Sequence, residues 1–261
     1  MSNYFIYGVL PPLEFGLLPD ISSKELTELF ELNFSNVAMR KVHTLKLWID
    51  ISNIYALFST KRFDSRGNYS KSTMKALIAS QEELPSYVFD FFDSYEKEEE
   101  RKKYFSKLIA SYFREERHKS SGYLMQFLTF EHDVRVLLAG FRAKSKGFDI
   151  GEELQFEDLD NPVVASVLMQ KDRGGNFQFP IDYEDLEEVL SQAEANPSKQ
   201  YEEIARYRFN FYINYFTNNT FSLQGILAYM IALWILEDFF ALKREEGENV
   251  LSNIVERGNV S

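Results

Sequence analysis

Along most of the chain, apolar residues recur at three- and four-residue steps, the period of helices that turn one face toward a core. Leu26, Leu29 and Phe30 form one such stripe, and Ser22 followed by Glu25 makes a capping box at its start. Trp48, Ile51, Ile54, Tyr55 and Phe58 predict a second helix from Val37 to Phe58. Polar residues around Arg66-Gly67-Asn68 predict a loop over 60–72, and helical spacing returns over 74–82 and 86–95. A charged run over 96–103 reads as a solvated face leading into the stripe of Phe105, Leu108, Ile109 and Tyr112.

From Gly122 to Ser145, Leu124, Phe127, Leu128, Val134, Leu138 and Phe141 predict the longest clean helix, with Glu131 and Arg135 four apart and able to pair. Pro162 is placed to open a short helix, and Asp182 to cap one running through Gln192. Asn196-Pro197 breaks the chain before a helix to Asn218. Ser222 to Arg244 follows, then a short final helix after Gly247. Tyr4 to Phe15 is rich in β-formers and broken by Pro11-Pro12, so it reads as a short extended arm. The expected fold class is all-α.

Composition narrows the chemistry. The 261 residues contain no cysteine, which removes thiol catalysis, sulfur-ligated zinc and disulfides. A net charge of −11 repels a phosphate backbone, so nucleic acid is not an expected partner. The 24 Phe and 15 Tyr point to an aromatic-packed core, with some rings left for a protein surface. The first residues lack the basic start of a secretory leader. The apolar segment Phe221–Leu236 falls short of the ~18–20 residues of a membrane span, so it is expected as a buried helix.

Catalytic templates are not assembled in the sequence. His43, His118 and His132 are scattered, and a lone histidine on a charged helix is expected at the surface. There is no Gly-rich loop ending in Lys-Ser/Thr, no dinucleotide fingerprint and no Gly-x-Ser-x-Gly elbow. Neither catalytic residues, cofactor nor metal is expected.

One pattern recurs. Asp50, Asp133 and Glu237 each precede basic residues and then a glycine, at Gly67, Gly147 and Gly247. Ordinary helix ends produce the same pattern, through cations at the C-terminal dipole and a glycine stop. It also fits three related lobes, at about 20–80, 86–160 and 162–256, within one domain spanning 1–261.

The stretch Phe130-Glu131-His132-Asp133-Val134-Arg135-Val136-Leu137-Leu138-Ala139-Gly140-Phe141-Arg142-Ala143-Lys144-Ser145-Lys146-Gly147 resembles a helix of the C-type stalk family of archaeal-type V/A-ATPases, related to the eukaryotic d-type stalk family. Phe221 to Tyr229, followed by Glu237, Lys243, Arg244 and Gly247, resembles the last long helix of that C-type family. The opening Tyr4 to Leu13 is similar to a bacterial family of uncharacterised proteins encoded among V-type ATPase genes. Glu237-Asp238-Phe239-Phe240 departs from the acidic-Arg-Asn-Leu pattern usual in the last helix, and the chain is shorter than usual for the C-type family.

The resemblance implies a three-lobed, funnel-like helical socket. It would be a non-catalytic central-stalk component of a V-type ATPase whose partners are the rotor shaft and the proteolipid ring. Its place would be cytoplasmic, meeting the inner membrane only through those partners. Glu131, Arg135, Arg142, Lys144, Glu237 and Lys243 are the candidate interface or inter-lobe residues. A helical adaptor or assembly factor is the alternative, and an enzyme built from acidic side chains and histidine is a third class.

Overall fold

A computed structural model describes residues 2–193 and 196–258, with side chains described within 3–245. Thirteen α-helices and one 3₁₀ turn occur among the described residues, and no strand occurs among them. The fold class is all-α, as the three- and four-residue spacing predicts.

The chain divides into two compact units. One joins both ends of the sequence, residues 1–39 and 184–261; the other is the continuous stretch 40–183.

The first unit contains α1 (Ser2–Val9), α2 (Ser23–Asn33), α11 (Glu184–Gln192), α12 (Pro197–Asn218) and α13 (Leu223–Gly258). Its frame is an antiparallel hairpin of α12 and α13. Asn196 caps α12 through its side chain, and Pro197 takes the first helical position, where no N–H is needed. The turn between the two helices is tight. Ser222 Oγ accepts the Gly225 N–H at 2.9 Å and donates to the Asn219 carbonyl at 2.7 Å. A Cβ on Gly225 would fall on that same carbonyl, so glycine is required there. Eleven consecutive residues of α13, Ile226 to Leu236, are buried. α2 begins with the expected capping box of Ser22 and Glu25.

The stretch 40–183 contains the rest of α3 (Asn36–Leu57), then α4 (Lys71–Ser80), α5 (Ser86–Ser94), α6 (Glu98–Lys103), α7 (Phe105–Lys119), α8 (Tyr123–Lys146), α9 (Ile150–Glu153) and α10 (Pro162–Leu168). α8 is the axis. It packs on α7, α9 and α10. Rings fill the core, with Trp48 against Tyr112 and Phe113, and Tyr55 and Phe91 against Phe105. Gly147 ends α8 in the left-handed conformation, as the sequence suggests.

Three expectations are corrected. Residues 2–9 are helical rather than an extended arm. The aromatic residues there meet α12 and the turn before α13, with Tyr7 stacked on Phe216, and tertiary contact overrides β-propensity. Pro11-Pro12 does stop the helix. Gly247 does not end α13, which runs on to Gly258. A mid-helix glycine costs only about 1 kcal/mol, and the neighbouring Glu245, Glu246 and Glu248 are good helix formers. α13, not α8, is therefore the longest helix. Its segment Leu223–Glu245 is also long and apolar enough by composition to cross a membrane, with mean hydropathy 1.8, and 72% of its most apolar stretch is buried against the rest of the chain.

Candidate functional site

The densest chemistry lies in the middle of α8. Phe127, Leu128, Phe130, Val134, Val136 and Leu137 pack around its centre, and residues 130–134 are buried without a break, so the charges there have no solvent face. Glu131, His132 and Asp133 are consequently all buried.

His132 sits between two carboxylates. Its Nε2 lies 2.9 Å from Glu157 and its Nδ1 lies 3.2 Å from Asp133. A neutral imidazole has one N–H and can satisfy one acceptor, whereas the charged ring donates to both. Burial works against that charge, but the hydrogen bonds and negative charges of Asp133 and Glu157 more than offset it and hold His132 above its ordinary value. Glu157 resists burial in turn. His132 and Arg135 keep its carboxyl below the usual value. Arg135 donates a charge-assisted bond to Glu157 and lies over the Phe113 ring. The Tyr183 hydroxyl donates to Asp133 at 2.9 Å.

Two carboxylates thus face one imidazolium and one guanidinium. The cluster ties α8 to the α9–α10 connection and to the 3₁₀ turn Ile181–Tyr183. A cavity of about 180 Å³ reaches its edge, lined by His132 and Glu157 together with Arg114, Arg117, Asp158 and Asn161.

A second buried carboxylate, Asp50 on α3, organises the loop before α4. Its oxygens accept the backbone N–H of Asn68 at 2.9 Å and the Asn68 side chain at 2.6 Å. Burial pushes its pKa up to about 6, against these hydrogen bonds. A Cβ on Gly67 would fall on the Asp50 carboxylate, which explains the glycine. Asn53 holds the same loop by both backbone groups of Asp64, at 2.7 and 2.8 Å.

The sequence-predicted residues fall in different settings. Glu131 is buried in α8. Arg135 reaches Glu157, 22 positions on, rather than being reserved for its helical neighbour. Lys144 is half-buried and donates to the Gln170 carbonyl at 3.2 Å. Glu237 is half-buried on α13 and accepts both the backbone N–H of Ser23, at 2.7 Å, and its hydroxyl. Lys243 pairs with Glu202 at 3.5 Å and sits over Phe239. Arg142 is exposed, which takes it off a helix seam and leaves only an outward role. Within one helix, Phe141 and Ala143 take the inward directions and the long cationic side chain between them reaches water.

The expectation that His132 lies at the surface is wrong. The readable signal is the absence of any polar stripe around it. Glu157 and Tyr183 carry no such signal, because their partners are 25 and 50 positions away.

The chain belongs to the family described as "Protein of unknown function (DUF2764)", whose model matches residues 1–259. It is 29% identical over 213 residues to an uncharacterised protein of Chlamydia trachomatis, covering 79% of this chain and 80% of that one. An uncharacterised protein of Chlamydia muridarum is 26% identical over 261 residues, covering 98% and 97%. One from Chlamydia pneumoniae is 28% identical over 240 residues, covering 88% and 90%. No solved structure matches the chain.

Proposed function

We propose that the chain is a non-catalytic central-stalk component of a bacterial V-type ATPase or ATP synthase, linking the rotor shaft to the proteolipid ring. The placement is cytoplasmic, with the membrane reached through its partners. Glu131, Arg135, Arg142, Lys144, Glu237 and Lys243 then belong to its internal seams or to its contacts with those partners. The resemblance of 130–147 and 221–229 to the C-type stalk family of V/A-ATPases supports this reading, and those segments belong to α8 with its C-cap, to α13 and to the turn before α13.

One observation carries the non-catalytic part. The best-placed acid–base group, His132, has both ring nitrogens engaged by carboxylates, and Arg135 and Tyr183 are committed to those same carboxylates. A general base needs a free nitrogen within reach of a substrate proton. Groups spent on each other instead brace α8 against the segments beside it, which suits a part that transmits force.

The test is isolation of the tagged full-length chain from the cells that encode it, followed by identification of its companions. Recovery in fixed ratio with the shaft and ring proteins is the expected result. Recovery only with partly assembled complexes would replace this reading with an assembly factor, and recovery without ATPase components would overturn it.

A further inference from the structure

The face of α1 has no internal explanation. Residues 1–13 carry no charged side chain, although 26% of the chain is charged. Ile6 is buried, yet Tyr4 is 66% exposed, Phe5 54% and Val9 48%. Phe5 and Val9 lie one turn apart, on one side of the helix. Tyr4 stacks on Phe221, itself 45% exposed, with ring centroids 4.8 Å apart.

This patch is held in place. Tyr7 stacks on Phe216 and meets Phe221, and the Pro11 carbonyl accepts the Tyr229 hydroxyl at 2.8 Å. Phe221 takes a φ of +58°. A bulky side chain in that region is strained. The strain leaves a ring half in water, on the two tyrosines of α1. Strained backbone that presents an exposed ring is a feature of binding surfaces.

We propose that Tyr4, Phe5, Val9 and Phe221 form a docking knob for an apolar groove, free of charge, on another protein of the assembly. This rests on the central-stalk reading and adds the surface and the chemistry of its partner. The four side chains expose roughly 400 Å², judged from full aromatic burial areas of ~150–250 Å². A second copy of the chain is the wrong occupant. Two chains of charge −11 would be brought together, and like charges oppose that pairing. A bilayer is also disfavoured. The segment has no Lys or Arg to meet anionic headgroups, and the acidic chain is repelled by them. An uncharged protein groove accepts the rings without setting like charges against each other.

The experiment compares the full-length chain with the double variant Phe5→Ser/Val9→Ser and with Leu32→Ser, an exposed leucine on α2, as control. Each is tested for retention on the isolated ATPase and for thermal unfolding. The expected result is unchanged unfolding for all, at least tenfold loss of retention for the double variant, and normal retention of the control. Full retention of the double variant beside a retained wild type overturns the knob while leaving the stalk reading intact. A wild type that is never retained overturns the stalk reading and the knob with it. Dimers of the wild type that vanish in the double variant, or binding to vesicles containing phosphatidylglycerol that depends on Phe5 and Val9, would also overturn it by naming a different occupant.

Discussion

Helices α8 and α13 face the same demand by opposite means. Both are buried almost all round. α13 meets this with eleven consecutive buried residues that carry no charge, from Ile226 to Leu236. α8 carries Glu131, His132 and Asp133 in the same kind of setting, with His132 paired to Asp133 and to Glu157, which Arg135 also meets. The first solution depends on packing alone. The second depends on every partner being present and in the right protonation state, since a buried ion pair is costly to form and more costly to break. Stability should therefore respond to different perturbations in the two helices.

The largest effect is expected from Glu157→Ala. It removes one of the two carboxylates on His132, which keeps Asp133, and takes the carboxylate partner from Arg135, so the loss is about 3–5 kcal/mol, near the cost of breaking a buried pair. Arg135 is partly exposed and can turn to water, which places the result toward the lower end. Denaturant unfolding measures it. A loss below about 1 kcal/mol would mean that the cluster is wet and that the contrast with α13 is false.

Leu233→Ala in α13 should cost a comparable amount, about 2–5 kcal/mol depending on how far its pocket collapses. This loss should be the same on either side of neutral pH, because no titrating partner is involved. A strongly pH-dependent loss would show that apolar burial is not what holds α13.

The same contrast explains what can be read from the sequence. α12, α8 and the first part of α13 are legible from period and punctuation, down to Asn196-Pro197 and Gly147, because these signals are local, whereas the glycine stop read at Gly247 does not hold. The capping box at Ser22 is legible for the same reason. The ionic cluster is not. His132 meets Glu157 across 25 positions and Asp133 meets Tyr183 across 50, and no local pattern encodes such encounters. The helix of residues 2–9 is also hidden, since its aromatic residues owe their conformation to Phe216 and Phe221, at the far end of the chain. Burial divides the six interface candidates in a way that charge and spacing alone do not.

A smaller effect should appear in the pH dependence of 40–183. His132 has a folded pKa above its ordinary value of 6.5, so its contribution is complete below that value and is lost as pH rises through the raised one. Glu157 acts in the other direction, losing its contribution as pH falls through its lowered value. Asp50 titrates at about 6 when folded against an ordinary 3.8, so the native state binds the extra proton and stability declines as pH rises between those two values. Hydrogen exchange, corrected for its intrinsic pH dependence, should show α8 less protected in mildly alkaline than in mildly acidic buffer. His132→Gln should abolish that difference, and Asp50→Asn the decline on the acidic side. An equal loss of protection in α13 would assign the effect to the whole chain and not to the cluster.

The smallest stability change, and the sharpest test of the functional reading, comes from Arg142 set against Glu237. Glu237 accepts two hydrogen bonds from Ser23, which is buried, so Glu237→Ala leaves those donors without their acceptor and should cost about 1–3 kcal/mol. Its role is accounted for inside the fold, and any loss of binding to the ATPase would follow from lost stability. Arg142 is exposed between two inward residues of α8, so Arg142→Ala should change stability by no more than about 0.5 kcal/mol. It is thus a position where fold and function separate. If Arg142 meets a partner, the variant should unfold like the wild type and yet be washed from the isolated complex at lower salt, since an ion pair at an interface rim is screened. Unfolding and retention both equal to wild type at every salt concentration would make Arg142 an ordinary surface charge. The part of α8 that resembles the C-type stalk family would then serve only to hold 40–183 together.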